Sequence, residues 1–191
     1  SLPLDATASL KGDLAGLEGW LDVQAKLQPS NPAAQATQAN LSGKIKPWAA
    51  QPVVNADSTF SQLNLATLWP QAPQTLLTGN IQVVPQNKGT DIIWHAQGSI
   101  TNSLTGPFDK GRLPIENAQA QVIFDQGKWL VQSLAAKVAG GSFQVQGQLG
   151  QTGPISATSN WQGNAQLLNI NPNAIHSQLA GARIDGKVTA K

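Results

Sequence analysis

Enzyme chemistry rests mostly on histidine, cysteine and paired carboxylates, and this 191-residue chain holds few of them. It has no cysteine, so no thiolate nucleophile, disulfide framework or sulfur-ligated metal can form. The two histidines, His95 and His176, fall in neither an HxxxH nor an HExxH spacing, the patterns that bring two imidazoles to one metal. Glu18 and Glu116 are the only glutamates and lie far apart, a poor start for a general acid and base pair. No Gly-x-Ser-x-Gly, Ser-x-x-Lys or Walker-type loop occurs. Gly140-Gly141 lacks the third glycine and the following helix that a phosphate loop needs, and reads as a turn. The expectation is a non-catalytic chain with no catalytic residue, metal site or cofactor.

What remains is apolar contact and stacking. Trp20, Trp48, Trp69, Trp94, Trp129 and Trp161 recur at intervals of roughly 20 to 35 residues, which suits core or edge packing once per repeat, a lipid-contacting trough, or a platform for sugar rings. Trp94 and Trp161 share an apolar face with Gly98 and Gly163 and fit the trough best. Lys44 and Lys46 near Trp48 read as a solvated edge that deters strand pairing, with a phosphate headgroup as the alternative. Charged residues make up 12% of the chain, against about 25% in typical domains, and the net charge is only +2. Nucleic acid is therefore not an expected partner. No run of eighteen apolar residues and no signal-peptide pattern occurs. The chain starts Ser1-Leu2-Pro3 and stops at Lys191 within a strand pattern, so it is expected to be a fragment of a larger protein.

The elements that would position these side chains are strands. In AQVIFDQGKWLVQSLAAKVAGGSFQVQGQL, residues 120–149, three strands are joined by turns at DQGK and Gly140-Gly141. Phe143, Val145, Gly147 and Leu149 fall opposite Ser142, Gln144, Gln146 and Gln148. Ala120, Val122 and Phe124 repeat the pattern, though Ile123 breaks it. Similar alternation marks residues 6–14, 21–28, 39–45, 53–60, 76–84, 92–100, 157–167 and 184–190. Residues 29–38 and 102–117 read as loops and mark sub-boundaries within a single elongated repeat-like domain spanning 1–191. A helical turn at Leu65 to Leu68 and a short helix capped by Asn171-Pro172 complete a mainly β chain of about a dozen strands.

An internal repeat of the form apolar, any, Gly, any, apolar occurs as LKGDL, LSGKI, LTGNI, AQGSI, VQGQL and IDGKV. Its glycines, Gly12, Gly43, Gly79, Gly98, Gly147 and Gly186, fall on the apolar face. A notch there lets a sheet curl toward that side. The expected fold is an elongated, curled, largely antiparallel sheet, a solenoid-like "β-taco" with an apolar concave face and one or two short helices. A longer repeat pairs LNLATLWPQAPQTLLTGNIQV from Leu63 with LNINPNAIHSQLAGARIDGKV from Leu168, with a spacing difference of two residues before the glycine strand.

The order DQGKWLVQSLAAKVAGGSFQVQGQL, then LxLxxL, a helical turn and an LxG strand, resembles the TamB/AsmA-like family of Gram-negative bacteria. So does TGPFDKGRLPIENAQAQV, residues 105–122, and the likeness covers most of the chain from about Leu41 onward. The resemblance implies the periplasmic part of an inner-membrane-anchored protein of the translocation and assembly module. It implies phospholipid transport between inner and outer membranes through a hydrophobic groove, outer-membrane biogenesis, and a TamA-like outer-membrane barrel partner reached through parts outside these residues.

Two functions follow as expectations. The first is a lipid conduit whose ligand is phospholipid or another acyl-chain molecule. Its lining would be Leu77, Ile81, Val83, Trp94, Ile100, Val122, Phe124, Phe143, Val145, Leu149 and Trp161. The second is a structural or chaperone-like module whose open edge accepts a strand of an outer-membrane client.

Overall fold

The computed structural model describes residues 4–30, 37–49, 52–69, 71–88, 91–126, 128–150 and 160–190. Alternating segments joined by short connections form hairpins, and here they do so throughout. Strands β1 (Leu4–Asp13), β2 (Trp20–Pro29), β3 (Gln38–Ile45), β4 (Val53–Leu63), β5 (Leu77–Lys88), β6 (Asp91–Asn102), β7 (Ile115–Asp125), β8 (Lys128–Val138), β9 (Gly141–Gly150), β10 (Asn160–Ile170) and β11 (Ile184–Ala190) pair in chain order into one open antiparallel sheet. At about 4.8 Å per strand the sheet extends roughly 50 Å across its strands. The strand start expected at Ala157 lies outside the described residues, as do Gly127 of the DQGK turn and residues 31–36 of the first expected loop.

Helical structure is slight. A 3₁₀ turn covers Leu65–Thr67, and Asn64 caps it by accepting from the Ala66 amide. Helix α1 (Pro172–Ile175) has Asn171 as its cap and proline at its first position. The stretch expected to be irregular, 102–117, contains a second 3₁₀ turn, Phe108–Lys110, closed by Gly111 at φ 65°.

The chain exposes 12186 Å², against about 8,700 Å² for a compact protein of 20.0 kDa. That excess belongs to a single layer with both faces open. Buried side chains gather at one end of the strands: Thr37, Ala72, Thr75, Leu77, Asn102, Ala136, Ala139 and Ile170. There the connections fold back over the sheet. Thr75 Oγ1 accepts from the Leu65 amide at 3.0 Å and donates to the Leu63 carbonyl at 3.0 Å. Asn102 Oδ1 accepts from the Leu76 and Leu104 amides, each at 3.1 Å. This end is termed the capped rim and the other the open rim.

The register aligns the apolar positions into rows that cross all eleven strands. One runs through Leu10, Val23, Gly43, Ala56, Val83, Ala96, Val122, Val131, Gly147, Gly163 and Ala190. The next, toward the capped rim, is Ala8, Ala25, Leu41, Ser58, Ile81, Gly98, Ala120, Leu134, Val145, Ala165 and Val188. The third is Ala6, Leu27, Ala39, Phe60, Gly79, Ile100, Ala118, Ala136, Phe143, Leu167 and Gly186. These three rows carry no charge, and Ser58 is their one polar side chain. A bulge at Gln132 keeps β8 in phase: Gln121 pairs with Ser133 and Val122 with Val131, so Val131 and Leu134 both stay on the apolar face.

The long internal repeat is real, but its register differs from the sequence alignment. β4 and β10 each end in a bulge, with Gln62 at φ 52° and Asn169 at φ 55°. Gln62 donates its amide to Thr78 Oγ1, and Asn169 to Asp185 Oδ1. Leu63 pairs with Leu77 as Ile170 pairs with Ile184, and Asn64 and Asn171 cap the turns that follow. Leu63 is thus equivalent to Ile170 and not to Leu168. At this offset the apparent two-residue spacing difference disappears.

Candidate functional site

The residues expected to line a groove mostly come together. Val83 and Val122 lie in the first apolar row, Ile81 and Val145 in the second, and Ile100 and Phe143 in the third. Pro85, Trp94, Phe124, Trp129, Leu149 and Trp161 form a further row along the open rim. Within it the Phe124 and Trp129 rings sit 4.7 Å apart, tilted at 46°. The side chains of Leu149 and Trp161 lie outside the described residues, so only their strand positions are placed. Leu77 differs from the rest: at 6% exposure it is packed under the capped rim and does not face open space.

No second layer covers the apolar face among the described residues. Ile81 keeps 47% of its surface exposed, and Leu10, Leu41 and Val188 are likewise open. The sequence reading missed Ala56 and Ala118, which share the rows but are too small to stand out by hydrophobicity, and it put Ala96 and Ala120 on apolar strand faces without counting them in the lining. It also missed Val131 and Leu134, which the β8 bulge keeps on one face with Trp129, a residue named there only as one of the six tryptophans. Their signal was the alternation with glutamine across each strand.

The six repeat glycines do sit on the apolar face but do not form one line. Gly12 is at the open rim, Gly43 and Gly147 in the first row, Gly98 in the second, and Gly79 and Gly186 in the third. At Gly79 a Cβ would collide with the Ser99 carbonyl oxygen, and at Gly98 it would stand 2.8 Å from the Asn80 carbonyl oxygen. The neighbouring strand therefore approaches from the apolar side, which is how the sheet curls with that face inside.

The opposite face is a hydrogen-bonding surface. Asp57, Gln82, Gln97, Gln121 and Ser133 form one ladder, in which Gln82 Nε2 donates to Asp57 Oδ1 at 2.9 Å and Gln97 Nε2 to Gln82 Oε1 at 2.7 Å. With the parallel ladder of Thr59, Asn80, Ser99 and Gln119 it borders a depression of about 620 Å³. Ile123, the residue that breaks the alternation, lies on this polar face between His95 and Leu130. His95 Nε2 is buried there with no hydrogen-bond partner.

One cluster of chemistry-bearing groups escaped the sequence reading because its members are 68 residues apart. Asp109 Oδ2 accepts from the Ser177 hydroxyl, and Oδ1 accepts from the Ser177 amide at 2.8 Å. These bonds, the hydroxyl first, hold the Asp109 carboxyl below the usual carboxylate range, with His176 adding a smaller electrostatic push in the same direction. His176 Nδ1 lies 3.9 Å from Asp109 and accepts from the Gln178 amide. The serine thus bonds the carboxylate directly. A nucleophilic triad needs the imidazole between them, so the cluster works as a clamp joining the Phe108–Lys110 turn to the segment after α1.

Among the described residues, no group of three or more His, Asp or Glu side chains is placed to hold a metal, and no helix is long and apolar enough to cross a membrane. The chain matches no protein-family model, no curated protein and no solved structure.

Proposed function

We propose that the apolar face is the wall of a groove that carries acyl lipids, and that the chain serves phospholipid transport between membranes as a segment of a TamB/AsmA-like periplasmic protein. The observation that carries this reading is the set of three uncharged rows running across eleven strands without a covering layer among the described residues. A compact domain would bury such rows in a core. Exposing an acyl chain to water costs about 0.8 kcal/mol per CH₂, so a chain of about fifteen carbons faces more than 10 kcal/mol outside a membrane. Continuous apolar rows remove most of that barrier, and their lack of charge leaves no residue to arrest the chain as it slides. No single side chain catalyses anything in such a device.

A photo-crosslinking amino acid tests the assignment in cells. Placed at Val145, on the apolar face, it should capture phospholipid, while at Gln146, on the polar face, it should not. Equal lipid capture at the two positions would sink the groove. Capture of protein instead, from positions along β1 or β11, would favour the strand-accepting module.

A further inference from the structure

The two rims of the sheet differ in a way that orients the cargo. Because the strands alternate in direction, every even-numbered strand starts at the open rim. Trp20 and Trp129 stand at or next to the starts of β2 and β8, Trp94 and Trp161 near the starts of β6 and β10, and Trp48 in the turn between β3 and β4. Five of the six tryptophans therefore mark one rim, while Trp69 alone lies toward the other; by register Trp94, Trp129 and Trp161 fall on the apolar face, whereas Trp20 lies on the polar face with Lys44 Nζ 4.8 Å from its ring centroid. Trp48 is 56% exposed and Trp129 42%, but Trp69 at the other rim is 49% exposed, so it is the number of tryptophans and not their exposure that distinguishes the rims. The capped rim has the opposite character, closed by Thr75 and Asn102 with their hydrogen bonds satisfied internally.

We infer that the open rim is the headgroup level of the groove: acyl chains lie along the strands, methyl ends toward the capped rim, and headgroups emerge past the tryptophans. This rests on the groove reading above. Indole rings favour the boundary between hydrocarbon and water, where an apolar body and an N–H donor are both satisfied. The dimensions agree. From Trp94 to Ile100 the strand spans about 20 Å, and one leaflet of a bilayer's hydrocarbon core is about 15 Å deep. A chain anchored at the tryptophans would end just past the second apolar row, about 5 Å short of Ile100 in the third.

The test uses the whole chain with two photoactivatable phosphatidylcholines, one carrying its reactive group in the headgroup and one at the acyl terminus. The headgroup probe should label peptides containing Trp129 about ten-fold or more over those containing Ile100, the discrimination expected if seating a headgroup at the capped rim leaves its polar atoms unpaired. The terminal probe should show the reverse. Identical or inverted patterns overturn the orientation while leaving the groove intact. No labelling by either probe overturns the groove and the orientation together.

Discussion

At the scale of single residues, glycines equivalent in the repeat are not equivalent in strain. Gly79 and Gly186 occupy matching positions, each paired with the last apolar residue before a bulge, Phe60 and Leu167. At Gly79 an added methyl meets backbone, while at Gly186 its nearest neighbour is Leu167 Cδ1 at 3.7 Å, an ordinary contact. Gly79→Ala should therefore cost about 1–3 kcal/mol through overpacking. Gly186→Ala should stay within about 0.5 kcal/mol of the parent. Urea midpoints at unchanged slope would measure both, and equal costs would contradict the close approach at Gly79. Asp109 gives a pH dependence of known sign. Its carboxyl is held below the ordinary value by Ser177, so the folded state favours the carboxylate. That contribution is fully present above the unfolded value of about 3.9 and is lost as pH falls through the lower folded value. Melting temperature should consequently drop more steeply below about pH 4 in the parent than in Asp109→Asn; parallel curves would mean that the clamp contributes no pH-dependent stability.

At the scale of elements, the capped rim depends on a few polar side chains. Thr75 is 1% exposed, and its hydroxyl satisfies both the Leu65 amide and the Leu63 carbonyl. Thr75→Val keeps the shape and removes both bonds, so it should destabilise by about 1–3 kcal/mol. Amide exchange should accelerate most in residues 63–77. Uniform acceleration over the sheet would show that the cap is not a separate unit. The strands themselves were legible because each has one face of small or apolar residues and one of amides and hydroxyls, a contrast that period two reveals even at 12% charge. Bulges were not legible. In KWLVQSLAAKV the apolar phase jumps at Gln132, and at the ends of β4 and β10 a left-handed residue shifts the pattern, so matching Leu63-Asn64-Leu65 to Leu168-Asn169-Ile170 misaligned the repeat by two. The caps escaped notice because Thr75 and Asn102 resemble any other polar loop residues until the chain folds back on them.

At the scale of the molecule, the distribution of charge separates two ways of holding a lipid. Charge occurs on the outer ladders and at the rims, as in the Lys44 to Asp22 and Lys46 to Glu18 pairs, and is missing from the three apolar rows. The rims could not be told apart strand by strand. Only the up-and-down topology, which sends every second strand back to the same side, gathers the tryptophans there. If burial of hydrocarbon drives binding, affinity should barely change when ionic strength is raised well above the physiological value, where the Debye length is about 8 Å. An attraction between surface lysines and phosphate would instead weaken steadily with salt. A charge placed in the rows gives the complementary test. Val145 lies in the middle row with Leu134 and Ala165 on its two sides, so Val145→Asp sets an ion on the path of the acyl chain. Lipid retained by the purified chain should fall at least about ten-fold, since an unpaired charge facing hydrocarbon costs well over 1.4 kcal/mol. Gln146→Asp, one residue away on the polar face, should leave retention unchanged. Val145 is half-buried between its neighbours, so far-ultraviolet circular dichroism checks that each variant keeps its strands before retention is compared. If Val145→Asp folds and retains lipid as the parent does, the rows do not carry the cargo.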